Sequence, residues 1–301
     1  MERLVSVRST GQTCLVSIVI PSKDNPIYLA NCIDSLTKVP SGASFEIVIV
    51  DSGSTTAAAK TLQDELQEDY LVKWVDCDQG GAFNFPELVN AGVAAAQGSY
   101  VLLLNDDTEA LHDGWLASML ETAERDDRRS IVGPVLVYPD LTIQHGGVAL
   151  DQNHLTVHRD VGTPLARWRR GVVEPASTVW AVTGAAMLVW RDLYEELGGF
   201  DERYAVSYND IDFVLRARLA GIPCRLENDA VLIHFESKTR GSDAQSQAKT
   251  LRHLREGLIF LQRWSELLEA DGVSCEQLRS GFMQRIRAIT GVDDRSETIR
   301  S

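Results

Sequence analysis

Short apolar runs alternate with amphipathic stretches through the first 125 residues. Four runs have the length and composition of strands, at 16–21, 45–50, 72–75 and 100–104. Between the first two runs, apolar residues from Leu29 to Leu36 recur at helical spacing, and further amphipathic helices are predicted through 62–66, 88–97 and 115–125. Strands that alternate with helices in this way predict a doubly wound, mostly parallel sheet, which is typical of a nucleotide-binding half.

The second half of the chain has a less regular pattern. Apolar runs at 131–138, 182–190 and 225–233 predict further strands, and short helices are predicted at 192–197 and from 210 to 221. The region from 141 to 179 is rich in Gly, His and Arg and predicts an irregular excursion over the surface. A long amphipathic helix is expected over 251–268.

The acidic stretch after the fourth run is the strongest chemical signal. The apolar residues 100–104 are followed at once by Asn105, Asp106 and Asp107. Open α/β sheets hold ligands at the carboxyl ends of their strands, and two adjacent carboxylates repel each other unless a cation or a proton relieves them. The stretch therefore indicates a divalent metal that binds a phosphorylated ligand, or else a solvated turn, because Asn and Asp are common turn residues.

Three more chemical groups fall at predicted strand or helix ends. Asp51 would bind a ligand or cap the next helix, Asp210 would act in the site or cap its own helix, and His234 would be a ligand or a satisfied core histidine. Their joint pattern is more informative than any one of them, because such ends converge on one edge of a doubly wound sheet.

Composition and charge narrow the function classes. The chain of 301 residues has 29 Lys and Arg against 43 Asp and Glu, a formal net charge of −14. This charge disfavours a nucleic-acid binder, which needs a basic surface, but is compatible with a small phosphorylated ligand neutralised by a metal. Five widely spaced cysteines without a C-x-x-C pair indicate free thiols in a reducing cytosol.

Membrane-related signals are weak. The polar residues 1–13 lack the apolar core of a signal peptide, and no apolar run approaches the ~20 residues that span a bilayer. We therefore expect a cytoplasmic protein, with peripheral contact at the inner face of the membrane left open. The cluster Arg167-Trp168-Arg169-Arg170 is consistent with an anionic acceptor, with lipid headgroups, or with an ordinary solvated loop.

Seven motifs in order resemble the inverting glycosyltransferases of family 2, which have the GT-A fold. The motifs lie at 17–21, 50–55, 102–108, 183–187, 198–202, 209–213 and 234–241. Within the family, they are most similar to the motifs of bacterial enzymes that build O-antigen, rhamnan and other surface polysaccharides. The resemblance implies a Rossmann-like nucleotide-sugar half at 15–125 and an acceptor half at 126–241 around one mixed sheet. Residues 1–14 would form an N-terminal extension and 242–301 a C-terminal helical extension.

The resemblance also implies a nucleotide-sugar site. Asp51 would accept a hydrogen bond from the N3–H of uracil or thymine, with help from Asp24, and Asn105 would approach the ribose. Asp107 would ligate Mn²⁺ or Mg²⁺ at the diphosphate, with His234 as second metal ligand. The remaining residues assigned to the nucleotide-sugar site are Pro21, Asn84, Asp106, Gly184, Ala185 and Arg240, of which Gly184 and Ala185 would form a floor under the sugar. Asn105 departs from the family's usual Asp-x-Asp.

Catalysis would depend on Asp210, which matches the family's general base and would take the proton of the acceptor hydroxyl. The family often has Glu before this Asp, where this chain has Asn209. The implied function is the metal-dependent transfer of a sugar from a UDP- or dTDP-sugar to a glycan, a lipid-linked glycan or another hydroxyl acceptor. The alternatives are an inactive nucleotide-sugar or carbohydrate-binding module and a nucleotidyltransferase-like enzyme, which lacks support because no Gly-rich, Lys-containing phosphate loop follows the first strand.

Overall fold

The computed structural model describes residues 15–69, 71–78, 80, 83–235 and 247–291. Its strands are β1 (Val16–Ser22), β2 (Phe45–Asp51), β3 (Val72–Asp76), β4 (Tyr100–Leu104), β5 (Thr108–Ala110), β6 (Ile131–Val137), β7 (Ile143–His145), β8 (Val148–Asp151), β9 (Leu155–His158), β10 (Ala176–Thr178), β11 (Ala186–Trp190) and β12 (Cys224–His234). Its helices are α1 (Pro26–Lys38), α2 (Ala57–Gln67), α3 (Phe85–Ala95), α4 (Trp115–Arg125), α5 (Leu165–Trp168), α6 (Arg191–Glu196), α7 (Asn209–Leu219), α8 (Gln247–Ala270) and α9 (Cys275–Thr290), and a 3₁₀ turn covers Arg169–Gly171.

One mixed sheet organises the molecule. Its strand order is β10-β12-β6-β11-β4-β1-β2-β3, with β5 paired to β12 and β7 paired to β6. The strands β4, β1, β2 and β3 run parallel, as the alternation of strands and helices predicts. The strand β11 is antiparallel to both neighbours, β4 and β6. The mixed α/β sheet agrees with the fold expected for two halves built around one sheet.

Apolar side chains alternate between the two faces of the sheet. Val19 joins one buried cluster, whereas Ile18 and Ile20 join the other, as the two-residue period of a strand requires. The helices α8 and α9 pack onto the cluster that contains Val19, through buried side chains such as Phe260 and Phe282. The C-terminal helices thus share the core of the sheet. The domain limit near residue 241 stays a prediction, since 236–246 lie outside the described residues.

The sheet brings several chain segments to the same edge. Because β11 is antiparallel to β4, its start at Ala186 pairs with Leu104 at the carboxyl end of β4. The end of β12 at His234 pairs with Thr108, just beyond the acidic stretch. Pro21 lies inside β1. The pairing of β1 with β4 ends at Val19, so the missing N–H of Pro21 leaves no ladder position unpaired.

The region 141–179 is more regular than the sequence indicates. The strands β7 to β10 and the helix α5 all fall inside it, with β8 and β9 forming a separate two-stranded hairpin. The prediction of an irregular excursion was therefore wrong. These elements are only three or four residues long, so they carry too little periodicity to be recognised locally.

Smaller details also differ from the expectations. The N-cap of α2 is Thr56, whose side chain accepts from Ala59 N, so Asp51 does not take that role. Cys32, Cys77, Cys224 and Cys275 are free thiols, as expected. None of the helices in the described ranges has the length and apolar character needed to cross a membrane.

Candidate functional site

A large cavity opens at the edge where the strands end. It has a volume of about 1010 Å³ and is lined by parts of both halves of the chain. Among the residues predicted for the site, the following line it: Pro21, Asp24, Asn105, Asp106, Asp107, Gly184, Ala185, Asp210 and His234. The expected convergence of Asp107, Asp210 and His234 on one cavity is therefore present in the structure.

Asp107 and His234 form a close pair in the cavity wall. Asp107 Oδ1 lies 3.1 Å from His234 Nε2, and both side chains are more than 90% buried. The other ring nitrogen, Nδ1, lies 2.7 Å from Gln144 Oε1. The amide of Asn105 also approaches the ring, with Nδ2 3.3 Å from Nε2.

Gln144 determines which nitrogen of the neutral His234 ring carries the proton. Gln144 Nε2 donates to the backbone carbonyl of His234 at 3.3 Å, and a carbonyl oxygen can only accept. This contact places Gln144 Oε1 toward Nδ1, so Nδ1 must donate and carry the proton. In the neutral ring, Nε2 therefore presents a lone pair toward the carboxylate of Asp107.

Two acceptors that face each other at 3.1 Å fit a divalent cation. An imidazole nitrogen and a carboxylate oxygen are both ligands for Mn²⁺, and a hydrogen bond to the distal ring nitrogen is the usual support of a metal-binding histidine. The described residues bring together no group of three or more His, Cys, Asp or Glu side chains able to hold a metal. Asp107 and His234 are thus the pair of described residues whose chemistry fits two ligands of such an ion.

Asp106 lies beside this pair and is held by the first strand. Ser22 Oγ donates to Asp106 Oδ2 at 2.7 Å. Burial raises the pKa of the Asp106 carboxyl to about 6, with a smaller contribution in the same direction from the charge of Asp107. Asp106 thereby connects the loop after β1 to the end of β4.

Asp210 stands at the start of α7 with its carboxylate turned to the floor of the cavity. Oδ2 accepts from the backbone N–H of Gly184 at 2.8 Å, and Oδ1 accepts from the N–H of Ile211 at 2.8 Å. A Cβ at Gly184 would lie 3.2 Å from Asp210 Cβ, so glycine is what allows this close approach. Asp210 lies in the first turn of α7, whose N-cap is Tyr208, and its role in the site stays a prediction.

The loop before Asp210 is fixed by α8. Tyr208 has a left-handed backbone, with φ of 65°, which is strained for a residue with a side chain. The Tyr208 hydroxyl lies 3.0 Å from His253 Nε2, and the two rings stack with centroids 5.1 Å apart. His253 Nδ1 lies 3.0 Å from Ser207 Oγ. The C-terminal extension thus holds the segment that carries the proposed base.

The two acids expected near the nucleotide base instead hold loops in this structure. Asp24 accepts from the backbone N–H groups of Thr55 and Thr56, each at 2.8 Å, and these bonds lower its pKa. Asp51 is 2% exposed and accepts from Ser54 N at 3.1 Å. Asp24 lines the cavity, whereas Asp51 is not part of its described wall. The base-reading role of both residues stays a prediction.

Asn84 and Arg240 differ from the other predicted site residues. Asn84 is the N-cap of α3: its Oδ1 accepts from Glu87 N at 3.3 Å and its Nδ2 donates to Glu202 O at 2.9 Å. It is not part of the described cavity wall, and its nucleotide-sugar role stays a prediction. Arg240 lies outside the described residues, as does Lys238 of the loop expected to close over the diphosphate.

Sequence reasoning missed Gln144, Tyr208 and His253 as parts of the site. Gln144 sits in the region interpreted as irregular, and His253 sits in a helix interpreted only as amphipathic. Asp212 is fully buried and accepts from Trp264 Nε1 at 2.9 Å and from Arg216 Nε at 2.9 Å. It therefore supports the packing of α7 against α8. These contacts join residues far apart in the chain and leave no local signal.

Comparison with known proteins identifies the family. The model of Glycosyl transferase family 2 matches residues 17–198. The O-antigen biosynthesis protein RfbC of Myxococcus xanthus is 32% identical over 240 residues, which cover 77% of this chain but 18% of RfbC. The uncharacterized protein y4gI of Sinorhizobium fredii is 32% identical over 84% of this chain and 28% of its own length. The chain thus spans less than a third of the length of these two relatives.

A shorter relative and two solved structures are also similar to this chain. The N-acetylglucosaminyl-diphospho-decaprenol L-rhamnosyltransferase of Mycobacterium tuberculosis is 26% identical over 54% of both chains. The structure of GalNAc-T7 with UDP, GalNAc and Mn²⁺ superposes with a TM-score of 0.64 over 96% of this chain and 59% of the other, at 16% identity. The mannosyltransferase PcManGT from Pyrobaculum calidifontis in complex with GDP-Man and Mn²⁺ superposes with a TM-score of 0.61 over 94% and 77%, also at 16% identity.

The family match covers residues 17–198, and the structural matches extend over nearly the whole chain. The chain therefore belongs to glycosyl transferase family 2, and its glycosyltransferase domain has the GT-A fold.

Proposed function

We propose that this protein is an inverting, metal-dependent glycosyltransferase that uses a UDP- or dTDP-sugar. The observation that carries the proposal is the arrangement of one cavity: an oriented Asp107–His234 pair with facing acceptor atoms, and the Asp210 carboxylate anchored in the same cavity. The solved relatives named for UDP or GDP-Man together with Mn²⁺ support a nucleotide-sugar donor and a divalent ion.

The donor would occupy the part of the cavity next to the strand ends. Asp107 and His234 would hold Mn²⁺ or Mg²⁺, which when bound would neutralise the diphosphate and so stabilise the departing nucleotide. Asn105 Nδ2 lies within reach of the same point and would donate to a ribose or phosphate oxygen. Gly184 and Ala185 would let the sugar lie close against the backbone.

Asp210 would act as general base. As the acceptor oxygen forms its bond to the anomeric carbon and the bond to the nucleotide diphosphate breaks, the acceptor proton would pass to a carboxylate oxygen of Asp210. The N–H groups of Gly184 and Ile211 hold that carboxylate in place before the acceptor binds. A fixed base on the side opposite the leaving group gives inversion.

The acceptor side of the cavity differs in charge from the donor side. Lys249 and Arg252 of α8 line the cavity, whose described wall also contains Asp106 and Asp107. His253 lines it too, but burial lowers the pKa of its ring, so it does not add a cation at neutral pH. Cations at this position favour an acceptor with a negative group, such as the diphosphate of a lipid-linked glycan. The rhamnosyltransferase relative, named for a diphospho-decaprenol acceptor, supports the same choice.

We propose that Asp51 and Asp24 determine which nucleotide base the donor site accepts. Both follow the first two parallel strands, and Ser54 links them, because it donates to Asp51 and accepts from the backbone N–H of Asp24 at 2.9 Å. Asp51→Ala should weaken the binding of uridine and thymidine nucleotides and leave the binding of a guanosine nucleotide unchanged. If the binding of all three nucleotides weakens equally, Asp51 does not recognise the base.

Two variants test the metal and base roles, with Asp64→Ala on the exposed face of α2 as a control. Asp107→Ala should abolish the Mn²⁺ dependence of UDP or dTDP binding in calorimetry. Asp210→Asn should retain that binding and lose at least about a hundredfold in transfer, the lower range for a general base. Unchanged Mn²⁺-dependent binding in Asp107→Ala would reject the metal site, and near-parental transfer by a folded Asp210→Asn would reject the base. Release of nucleotide only when acceptor is present would separate an enzyme from an inactive binding module.

A further inference from the structure

Four exposed arginines lie within one short surface segment of the described chain. Arg159, Arg167, Arg169 and Arg170 lie within residues 157–173, are all exposed, and form no ion pair with a described carboxylate. Elsewhere in the described chain, some arginines are paired with carboxylates, namely Arg128, Arg129, Arg203, Arg216, Arg218, Arg225 and Arg263, and others, such as Arg279 and Arg287, lack such a pair but are not clustered in one short segment. In a chain with an excess of acidic residues, four unpaired arginines in one segment call for another partner.

The same segment exposes apolar side chains. Val157 is 36% exposed, Val161 53% and Val173 91%. Residues 157–173 carry four arginines and one acid, Asp160, so their net charge is +3. Asp160 is already engaged, because Trp168 Nε1 donates to its Oδ2 at 3.1 Å. We call residues 157–173 the arginine surface.

The arginine surface is held on the folded core. Ile143 N donates to Thr163 O at 2.8 Å, and Leu165 N donates to Leu141 O at 2.9 Å. The side chains of Leu165 and Trp168 are partly buried against the main apolar cluster. Its exposed valines and arginines are therefore displayed by an ordered element and are not part of a free linker.

We propose that the arginine surface docks this protein on an anionic lipid bilayer. Arginines that stand next to exposed valines fit an interface in which headgroup phosphates accept from guanidinium groups and apolar side chains enter the acyl boundary. A soluble polyanion would satisfy the arginines but would leave the valines in water. The overall charge of −14 does not oppose the contact, because charges beyond the Debye length of about 8 Å are screened at physiological salt.

The arginine surface adjoins the candidate cavity. His158, within the arginine surface, lines the candidate cavity, and the next residue is Arg159. A bilayer at this surface would bring headgroups to the cavity mouth, where a lipid-linked acceptor would present its sugar. The docking itself needs neither metal nor donor, so it can be tested separately from the proposed catalysis.

Co-sedimentation of the whole chain with vesicles tests the proposal. Phosphatidylcholine vesicles that contain phosphatidylglycerol should bind the protein, and pure phosphatidylcholine vesicles should bind it much less. The triple variant Arg167→Gln, Arg169→Gln, Arg170→Gln should lose about a hundredfold in partitioning, since each basic residue near an anionic surface contributes about 1 kcal/mol, or roughly fivefold. The control replaces Lys60, Arg279 and Arg287, three exposed cations outside the surface, by Gln and should bind as the parent does.

A second variant separates a bilayer from a soluble polyanion. Val161→Ser with Val173→Ser should weaken vesicle binding while heparin binding stays as in the parent. The proposal is overturned if the parent does not distinguish anionic from neutral vesicles, if the arginine variant and the control bind alike, or if the valine variant binds vesicles as strongly as the parent. Circular dichroism melting curves would verify that each variant is folded. We expect all of them to fold, because the replaced side chains are exposed.

Discussion

The orientation of His234 by Gln144 is the sharpest test of the candidate metal site. Gln144→Met removes both contacts of the buried amide, with Nδ1 and with the carbonyl of His234, while it keeps a similar side-chain volume. Without the amide, nothing in the described surroundings of Nδ1 favours the Nδ1–H form. A fraction of the rings would then turn an N–H toward Asp107 in place of the lone pair that a metal needs.

The size of the effect follows from the type of contact. Loss of a second-layer hydrogen bond to a metal-binding histidine typically costs 10- to 100-fold in metal affinity, about 1.4–2.7 kcal/mol. We expect Mn²⁺ affinity, measured in the presence of UDP or dTDP, to fall within this range. Stability should fall by about 1–3 kcal/mol, because the carbonyl of His234 is left without the amide that donates to it.

Two measurements separate orientation from simple damage to the fold. Nitrogen-15 chemical shifts of the metal-free protein report which ring nitrogen of His234 is protonated, and calorimetry reports Mn²⁺ affinity. Gln152→Met is the matched control: Gln152 is an exposed glutamine that also donates to a backbone carbonyl, that of Gly272. It should change neither readout.

The outcome that refutes the assignment is specific. If the neutral ring of His234 in the parent carries its proton on Nε2, Gln144 does not orient the histidine as inferred. If a folded Gln144→Met variant keeps both the parental tautomer and the parental Mn²⁺ affinity, the amide has no positioning role. If the parent itself does not bind Mn²⁺ with nucleotide, the metal site is rejected and the tautomer result still stands.

Three further predictions concern the base, the helix packing and a buried histidine. Gly184→Ala should lower kcat about a hundredfold with nucleotide binding unchanged, because its Cβ would push the Asp210 carboxylate out of place, as steady-state kinetics and calorimetry would show. Asp212→Ala should lower the free energy of unfolding in urea by about 3–5 kcal/mol, because it leaves buried cationic and indole donors without their acceptor; a loss below about 1 kcal/mol would contradict this. Burial lowers the pKa of His145 well below its usual value, so below pH ~6.5 the unfolded chain binds a proton that the folded state excludes. The free energy of unfolding should therefore drop by up to about 1.4 kcal/mol per pH unit as the pH falls through that range, and His145→Phe should flatten this slope in urea titrations.

The elements of the first 125 residues could be predicted closely from the sequence. The strands β1 to β4 and the helix α4 lie where the apolar periods place them, because each is long enough to show its own repeat. Asp107, Asp210 and His234 were singled out because each ends a strand or begins a helix, and the sheet brings those ends to one cavity. Their catalytic and metal roles stay predictions.

The positioning residues could not be predicted in this way. Gln144 and His234 are 90 residues apart, and their contact exists only because β7 and β12 both pair with β6. The strained Tyr208 depends on His253 and Phe260 of α8, whose packing no local pattern specifies. Within 141–179, the strand β10 likewise depends on a distant partner, because it pairs with β12.

By itself, the sequence determined the period of each long element and the reactive side chain at its end, since both are properties of a few neighbouring residues. Only the tertiary structure decided which nitrogen of His234 faces Asp107, how Asp210 is anchored, and where unpaired arginines meet exposed valines. The reason is physical: hydrogen-bond direction and burial depend on which distant segments pack together, and packing is a property of the whole chain.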